Sequence, residues 1–493
     1  MGEEIDRRSF DPGDYDRFGE RLRSSMLALR EILARPGFGT GPTTVGAEAE
    51  LALVGPNGRA LAANHEVLAA AGDPAMAAEL VRFSLEFNAP FSALAGTPFT
   101  ALRDDLSDAM HRLRRAAEPL GGRVVAVGIL PTLRETDLGS EALSDLNRFR
   151  ALSDGLRRLR QRAFAIRITG REPLEMTWSD VTLEGACTGF QVHLRVEPED
   201  FARTYNAAQI ATAPALAVAG NSPTFLGRRL WEETRIPLFR QSIDDRDRLV
   251  GSRGPARVPF GHGWLRTGAE EIFAETVALY APLLPVISDE DHLGRVTAGE
   301  VPELHELRLH NGTVWRWNRP VFDPTGAGHL RLELRALPAG PTPVDMAANA
   351  AFLVGLTLAL AEEDWMTMAL PFRLADANFY RAAEYGLEAE LLWPAPRPPS
   401  PRPRRAARLV LDLVEVARTG LLAGGVDAAE ADAMLEVVAE RAERGMTGAR
   451  WQLRTLEALE PRLERDDALV AMLERYLEHG APGEPVHRWP LPR

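Results

Sequence analysis

The sequence predicts an α+β fold in which helices pack on one face of an antiparallel sheet and leave the other face open. Three observations carry this. Several segments alternate between apolar and polar residues, the pattern of strands buried on one side only. They do not recur in regular strand–helix–strand units, which argues against a parallel sheet buried on both faces. Stretches of helical periodicity lie between them and fill the C-terminal hundred residues or so. At 493 residues, 45% apolar and 26% charged, the chain suits one large or two ordinary globular domains.

Residues 14–35 have helical periodicity, stopped by Pro36 and Gly37. "TTVGAEAELALV", Thr43 to Val54, is the opening strand. Its alternation puts Glu48 and Glu50 on one face and Ala47, Ala49 and Leu51 on the other. "GPNGRAL" marks a turn. In "VRFSLEFNAP", Phe83, Leu85 and Phe87 oppose Arg82, Ser84, Glu86 and Asn88. A helix over Thr100 to Glu118 leads through Gly121 and Gly122 to the strand "RVVAVGIL". "TGFQVHLRVE" alternates again, with Gln191, His193, Arg195 and Glu197 on its polar side.

An Ala-rich helix spans residues 198–219, opened by Pro198 and closed by Gly220 and Asn221. In "ELHELRLHNGTVWRWNRP", Asn311-Gly312 predicts a type I′ hairpin. "GHLRLELRALPAGP" turns Leu330, Leu332 and Leu334 away from Arg331, Glu333 and Arg335. "MAANAAFLVGLTLALA", Met346 to Ala361, is too short to span a bilayer and reads as a buried helix. "WPAPRPPSPRPRR", Trp393 to Arg405, is a Pro/Arg linker or strap, followed by helical pattern to about His479.

The formal net charge of −13 argues against a broad nucleic-acid footprint. All 57 basic residues are Arg. Without Lys there is neither Schiff-base catalysis nor a P-loop lysine, so any phosphate must be held by Arg, backbone N–H groups or metal ions. Cys187 is the single cysteine, which rules out an intramolecular disulfide and a Cys-built metal site. It is expected to be a small buried residue, dispensable for chemistry. "DRRSFDPGD" faintly echoes a twin-arginine signal, but no apolar region follows, so the expectation is a cytoplasmic protein with no membrane partner.

The polar sides of these strands supply Glu48, Glu50, Glu86, His193, Arg195, Glu333 and Arg335. Singly, each has an ordinary reading: a solvated strand face, a structural histidine, a cross-strand ion-pair ladder. Together they change the reading. Carboxylates with one imidazole suit hard divalent cations such as Mg²⁺ or Mn²⁺. Flanking arginines suit phosphate oxygens. The set describes a metal–nucleotide site built on a sheet without a P-loop, in which cations relieve the mutual repulsion of Glu48 and Glu50.

The chain resembles the glutamate–cysteine ligase superfamily, in particular its bacterial carboxylate–amine ligase branch. The resemblance rests on "VGAEAELALV", "FSLEFNAP", "GILPTL", "TGFQVHL", "AGNSPTFLGRRLWEETR", "HNGTVWRWNRP" and "HLRLELRALPAGPTPVDMAANAAF", which run in the family's order from Val45 to Phe352. It implies a glutamine-synthetase-like fold, with an antiparallel sheet curved around ATP and two or three Mg²⁺ ions. Glu48, Glu50, Glu86 and Glu333 match the family's metal ligands, and His193 its histidine near metals and phosphates. Arg335 matches a phosphate contact. The "NSPTFLG" turn and Arg235 match a region lining the substrate pocket. Close relatives often carry Glu where this chain has Ala49, a position facing away from the ligands. Trp315 and Trp317 either wall a pocket or pack in the core.

The resemblance also implies residues 1–395 as the catalytic domain, with the strap and helices of 396–493 packed on the same module. The implied activity is ATP-dependent amide formation through an acyl-phosphate, joining a carboxylate, most simply the γ-carboxylate of glutamate, to an amine such as that of cysteine. Arg335 and Arg195 would stabilise the transferring phosphoryl group. A phosphoryl-transfer kinase on a related fold, a non-catalytic nucleotide-binding regulator and a metal-dependent hydrolase remain as alternatives. The amine and the oligomeric state stay open.

Overall fold

The alternating segments become one seven-stranded sheet in the computed structural model, which describes residues 4–246, 254–396 and 399–492. Its strands are β1 (Thr44–Val54), β2 (Met76–Ala78), β3 (Ser84–Ala93), β4 (Arg123–Val125), β5 (Phe190–Val196), β6 (Asn318–Asp323) and β7 (His329–Leu334). The order is β6-β7-β5-β1-β3-β2, with β4 paired to the far end of β1, and every pairing is antiparallel. The sheet curls into a half-barrel, as the α+β reading expected.

Register decides what meets what. Glu50 lies opposite Glu86, Glu48 opposite Gln191, and His193 opposite Gly46 on one side and Glu333 on the other. Cross-strand partners share a face, so all the expected acidic ligands and His193 project from the same side. The other side is apolar: Ala47, Ala49, Leu51, Leu85, Phe87, Val192, Leu194, Leu332 and Leu334 are all buried.

The helices α1 (Pro12–Leu33), α2 (Pro98–Ala117), α3 (Phe201–Ala219) and α4 (Pro343–Ala361) follow the expected pattern within a few residues. α2, α3 and α4 pack on the apolar side of the sheet. α3 is apolar nearly all round and almost wholly buried, with Pro214 inside it. Among the described residues α4 alone is long and apolar enough to cross a membrane, yet it lies buried between α3 and α5 (Ala406–Ala423). From α6 (Ala428–Arg444), the side chain of Arg441, 1% exposed, reaches Asp345 at 2.7 Å and Asn349 at 2.5 Å on α4.

Two local expectations are corrected. Asn311-Gly312 turns no hairpin; His305–Gly312 is a helix with Leu307, His310 and Asn311 on its buried side. The buried spacing of three and four from Leu307 is that of a helix, not of a strand's period of two, and Asn311 Nδ2 donates instead to the carbonyl of Pro320 at 2.8 Å. The hairpin here is β6–β7, turned through Gly326 and Gly328, both at positive φ. The Pro/Arg strap is itself a hairpin, Glu390–Pro396 paired with Pro399–Arg405, where free outer edges tolerate prolines. "RVVAVGIL" pairs as strand only over Arg123–Val125.

Candidate functional site

The polar face is recessed rather than solvated: Glu333 is 2%, His193 3% and Glu86 4% exposed. Its acids fall into two groups, each with ligand atoms within 4.8 Å of one another: Glu48, His193 and Glu333, and Glu50, Glu79 and Glu86. The first straddles the centre of the sheet on β1, β5 and β7; the second lies toward the β3–β2 edge.

In the first group His193 Nε2 lies 3.1 Å from Glu48 Oε1 and 3.9 Å from Glu333 Oε1. Burial pushes the Glu48 carboxyl up, but the charge and hydrogen bond of His193 overcome it and bring its pKa to about 2. The His193 ring meets the edge of Phe91 at 5.8 Å, and Phe91 lies on Gly46, where a Cβ would come within 2.6 Å of the ring. Glycine at 46 therefore lets Phe91 cover the strand beside His193. His193 Nδ1 is buried with no hydrogen-bond partner among the described residues.

Among the described residues the second group is hydrogen-bonded by amides and backbone N–H groups and by no arginine, although Arg335 and Arg235 act on Glu50 from a distance. Glu50 accepts from Gly189 N at 2.6 Å and Gln191 Nε2 at 3.0 Å; Glu86 accepts from Asn88 Nδ2 at 3.0 Å; Glu79 accepts from its neighbour's N–H, Leu80 N, at 3.1 Å. Burial raises the pKa of all three; at Glu50 the Gly189 N–H, Arg335 and Arg235 oppose it, whereas at Glu79 and Glu86 neighbouring carboxylates add to it and put Glu86 at about 7. Glu184, from the short helix Thr182–Gly185, faces Glu50 and Arg335 and is pushed up to about 8 by burial and by Glu50.

The cationic side is mixed. Arg335 donates to Gln191 Oε1 and lies 3.3 Å from Glu333, among the carboxylates. Arg195 stands apart from both groups. Its guanidinium lies over Gly41, at φ +148°, and donates to the carbonyls of Gly39 at 3.3 Å and Thr40 at 2.8 Å. Arg235 is buried beside Gly189, but Glu233 at 3.1 Å and the carbonyl of Ala336 already occupy it. Trp317 is 1% and Trp315 8% exposed; both pack on Phe239, the core alternative. Cys187 is buried with its thiol pushed well up by burial, far from a reactive thiolate.

Sequence reasoning missed Glu79, Glu184 and Arg319. Glu79 follows a three-residue edge strand that carries little periodicity, yet β2 sets Ala77 opposite Glu86, and two residues on is the same face. Arg319 was hidden by placing the hairpin turn at Asn311-Gly312. The true register sets it opposite Glu333. Glu184 lies outside any strand, so alternation could not find it.

The donor set fits hard divalent cations: carboxylate oxygens with one imidazole nitrogen, in two clusters, one of which has, among the described residues, no positive side chain hydrogen-bonded to it. The model of glutamate-cysteine ligase family 2 (GCS2) matches residues 44–469. Comparison with curated proteins found no match. Among solved structures, the chain is similar to a glutamate–cysteine ligase from Francisella tularensis in complex with AMP, at 11% identity, covering 90% of each chain, with a TM-score of 0.56. It is also similar to a bifunctional glutathione synthetase from Pasteurella multocida, at 12% identity, covering 94% of this chain and 55% of that one, with a TM-score of 0.47. The first of these shows the shared fold.

Proposed function

The chain belongs to glutamate–cysteine ligase family 2, and from that premise we propose that it is an ATP-dependent carboxylate–amine ligase, joining the γ-carboxylate of glutamate to an amine such as that of cysteine. The observation that carries the reading is the pairing of two donor groups on one recessed sheet face, Glu48–His193–Glu333 and Glu50–Glu79–Glu86, with Arg335 between them. Residues 1–395 supply this face. The strap hairpin, which begins at Glu390, and the helices after it brace the helices behind it, with Arg441 locked to Asp345 and Asn349.

Mg²⁺ or Mn²⁺ held by the two groups would neutralise a triphosphate and polarise its γ-phosphoryl group. Arg335, fixed by Gln191 and Glu333, is the protein's cation for charge developing on the transferred phosphoryl group. Arg195, apart from both groups and held by the carbonyls of Gly39 and Thr40, would reach a phosphate only by leaving them. Arg235 props the floor at Gly189, whose N–H in turn fixes Glu50. The recessed face excludes water from an acyl-phosphate until an amine attacks it. The enzyme works on small molecules in the cytoplasm.

One oxygen atom tests this. If the carboxylate attacks the γ-phosphorus, one of its oxygens leaves with phosphate when the amine displaces it. An ¹⁸O-labelled carboxylate substrate should deliver one label per turnover into inorganic phosphate, in a screen of amino acids and amines with Mg-ATP. A stable phosphorylated product would mark a kinase, unlabelled phosphate a nucleotide hydrolase, and turnover without ATP a simple hydrolase. Each of these outcomes overturns the ligase.

A further inference from the structure

Arg319 forks onto Glu333. Its Nε lies 2.5 Å from Oε2 and its Nη2 3.0 Å from Oε1, so one guanidinium covers both oxygens of a carboxylate that is 2% exposed. The pair is built in: Arg319 on β6 stands opposite Glu333 on β7, and Arg319 Nη1 is tethered to the carbonyl of Gly312 at 3.3 Å. Yet Glu333 also shares its group with Glu48 and His193, where a divalent cation fits. A guanidinium across both oxygens neutralises the charge a cation would meet at this carboxylate, and the two cations repel each other across a buried site.

We propose that Arg319 is a built-in competitor of the cation at Glu48, His193 and Glu333, so that this ion binds tightly only once a triphosphate draws the arginine from Glu333 onto its own oxygens. The inference rests on the metal–nucleotide reading of the site. Phosphate is the natural exchange partner, because the fork that matches a carboxylate also matches phosphate oxygens. Among the described residues no guanidinium is hydrogen-bonded to the second group. Glu50 accepts from an amide and a backbone N–H, Glu86 from an asparagine, and Glu79 from a backbone N–H, all donors that a cation can displace or share. The two ions therefore differ: one loads onto the free protein, the other arrives with the nucleotide. Linkage makes the effect reciprocal, so the ion at Glu333 raises nucleotide affinity by the same factor.

The test counts ions rather than turnover. Mn²⁺ binding is followed by electron paramagnetic resonance with and without a non-hydrolysable ATP analogue, and the ion lost in Glu333→Gln is the one tracked. In the unaltered protein the analogue should tighten that ion about tenfold or more, the scale of one charge-assisted hydrogen-bond pair. Arg319→Gln should shrink this ratio by tightening Mn²⁺ on the free protein and weakening the analogue. Arg319→Lys keeps the charge and loses the fork, and should shrink the ratio less. If the unaltered protein shows no coupling, or both folded variants keep its ratio, Arg319 is no competitor, although the metal site stands. If no Glu333-dependent Mn²⁺ is found under any condition, the metal reading itself falls.

Discussion

Glu306 and Glu86 are both buried glutamates, and the fold treats them in opposite ways. Glu306, fully buried, accepts from Arg21 Nε at 3.0 Å, from Ser288 N at 2.9 Å and Oγ at 3.0 Å, and lies 2.9 Å from His292 Nε2. Burial raises its pKa, but these donors, His292 first, overcome it and hold it at about 2. Glu86 has one amide donor, and the charges of Glu48 and Glu50 push against its own. It sits at about 7. The first acid ties α1 to the segment that follows residue 286, and the chain supplies everything it needs. The second is left short of positive charge. A buried acid left short of positive charge is the pattern expected of a group that a ligand completes, which is the role proposed for Glu86.

The largest break of this contrast is expected at Glu50. Glu50→Gln should cut turnover by about 100-fold or more, roughly 3 kcal/mol of transition-state stabilisation. The metal-free variant should melt no lower than the unaltered protein, and the upward shift produced by Mg-ATP should shrink. A metal-free melt far below the parent would make Glu50 structural and erase the contrast. Glu333→Gln is different, although the two glutamates look alike in sequence. Arg319 and Arg335 hold the Glu333 carboxyl far below its ordinary range, so neutralising it strands a guanidinium and lowers stability as well as turnover.

That difference marks where sequence stops informing. Alternation placed Glu48, Glu50, Glu86, His193 and Glu333 on one face correctly, because a strand's period of two leaves no other choice once its apolar side is known. The same rule gave the helix-backed sheet. It could not give register between strands distant in sequence, and register is what sets Arg319 on Glu333 and Glu50 against Glu86. Nor could it reach Glu79 or Glu184, which project from a strand end and a single helical turn. The Asn311-Gly312 signal failed because a two-residue turn motif also suits the end of a short helix. Arg195 and Arg235 were found by type and position. Their partners, the Gly39–Thr40 carbonyls and Glu233, depend on loops that carry no period.

Glu306→Gln should cost about 2–3 kcal/mol at neutral pH, since Arg21 and His292 lose the charge that satisfies them. The pH dependence has a definite sign. A pKa depressed from 4.5 to about 2 in the folded state contributes stability above pH 4.5, lost as pH falls toward 2. Urea melts of parent and variant should therefore converge on acidification and separate above pH 4.5. Curves that stay parallel down to pH 2 would deny Glu306 its paired charge.

Glu86→Gln should move stability the other way, and by less. Its folded pKa of about 7 exceeds the ordinary 4.5, so between these values the folded chain holds a proton that the unfolded chain has released. Stability of the metal-free parent therefore declines as pH rises from 4.5 to 7. Glutamine stays neutral throughout, so the variant lacks that decline. The shift alone sets a ceiling of about 3 kcal/mol on the difference above pH 7. Glu50 and Glu79, also raised, titrate together with it, which brings the expected gain down to about 1 kcal/mol. Below pH 4.5 the gain should vanish, since both side chains are then neutral in both states. Saturating Mg²⁺ should reverse the order at pH 7.5, because the parent gains a ligand that the variant holds less well. Urea melts in EDTA and in Mg²⁺, at pH 4 and pH 7.5, read all four corners. A variant less stable than the parent in EDTA at pH 7.5 would mean that Glu86, like Glu306, is an acid the fold has already satisfied.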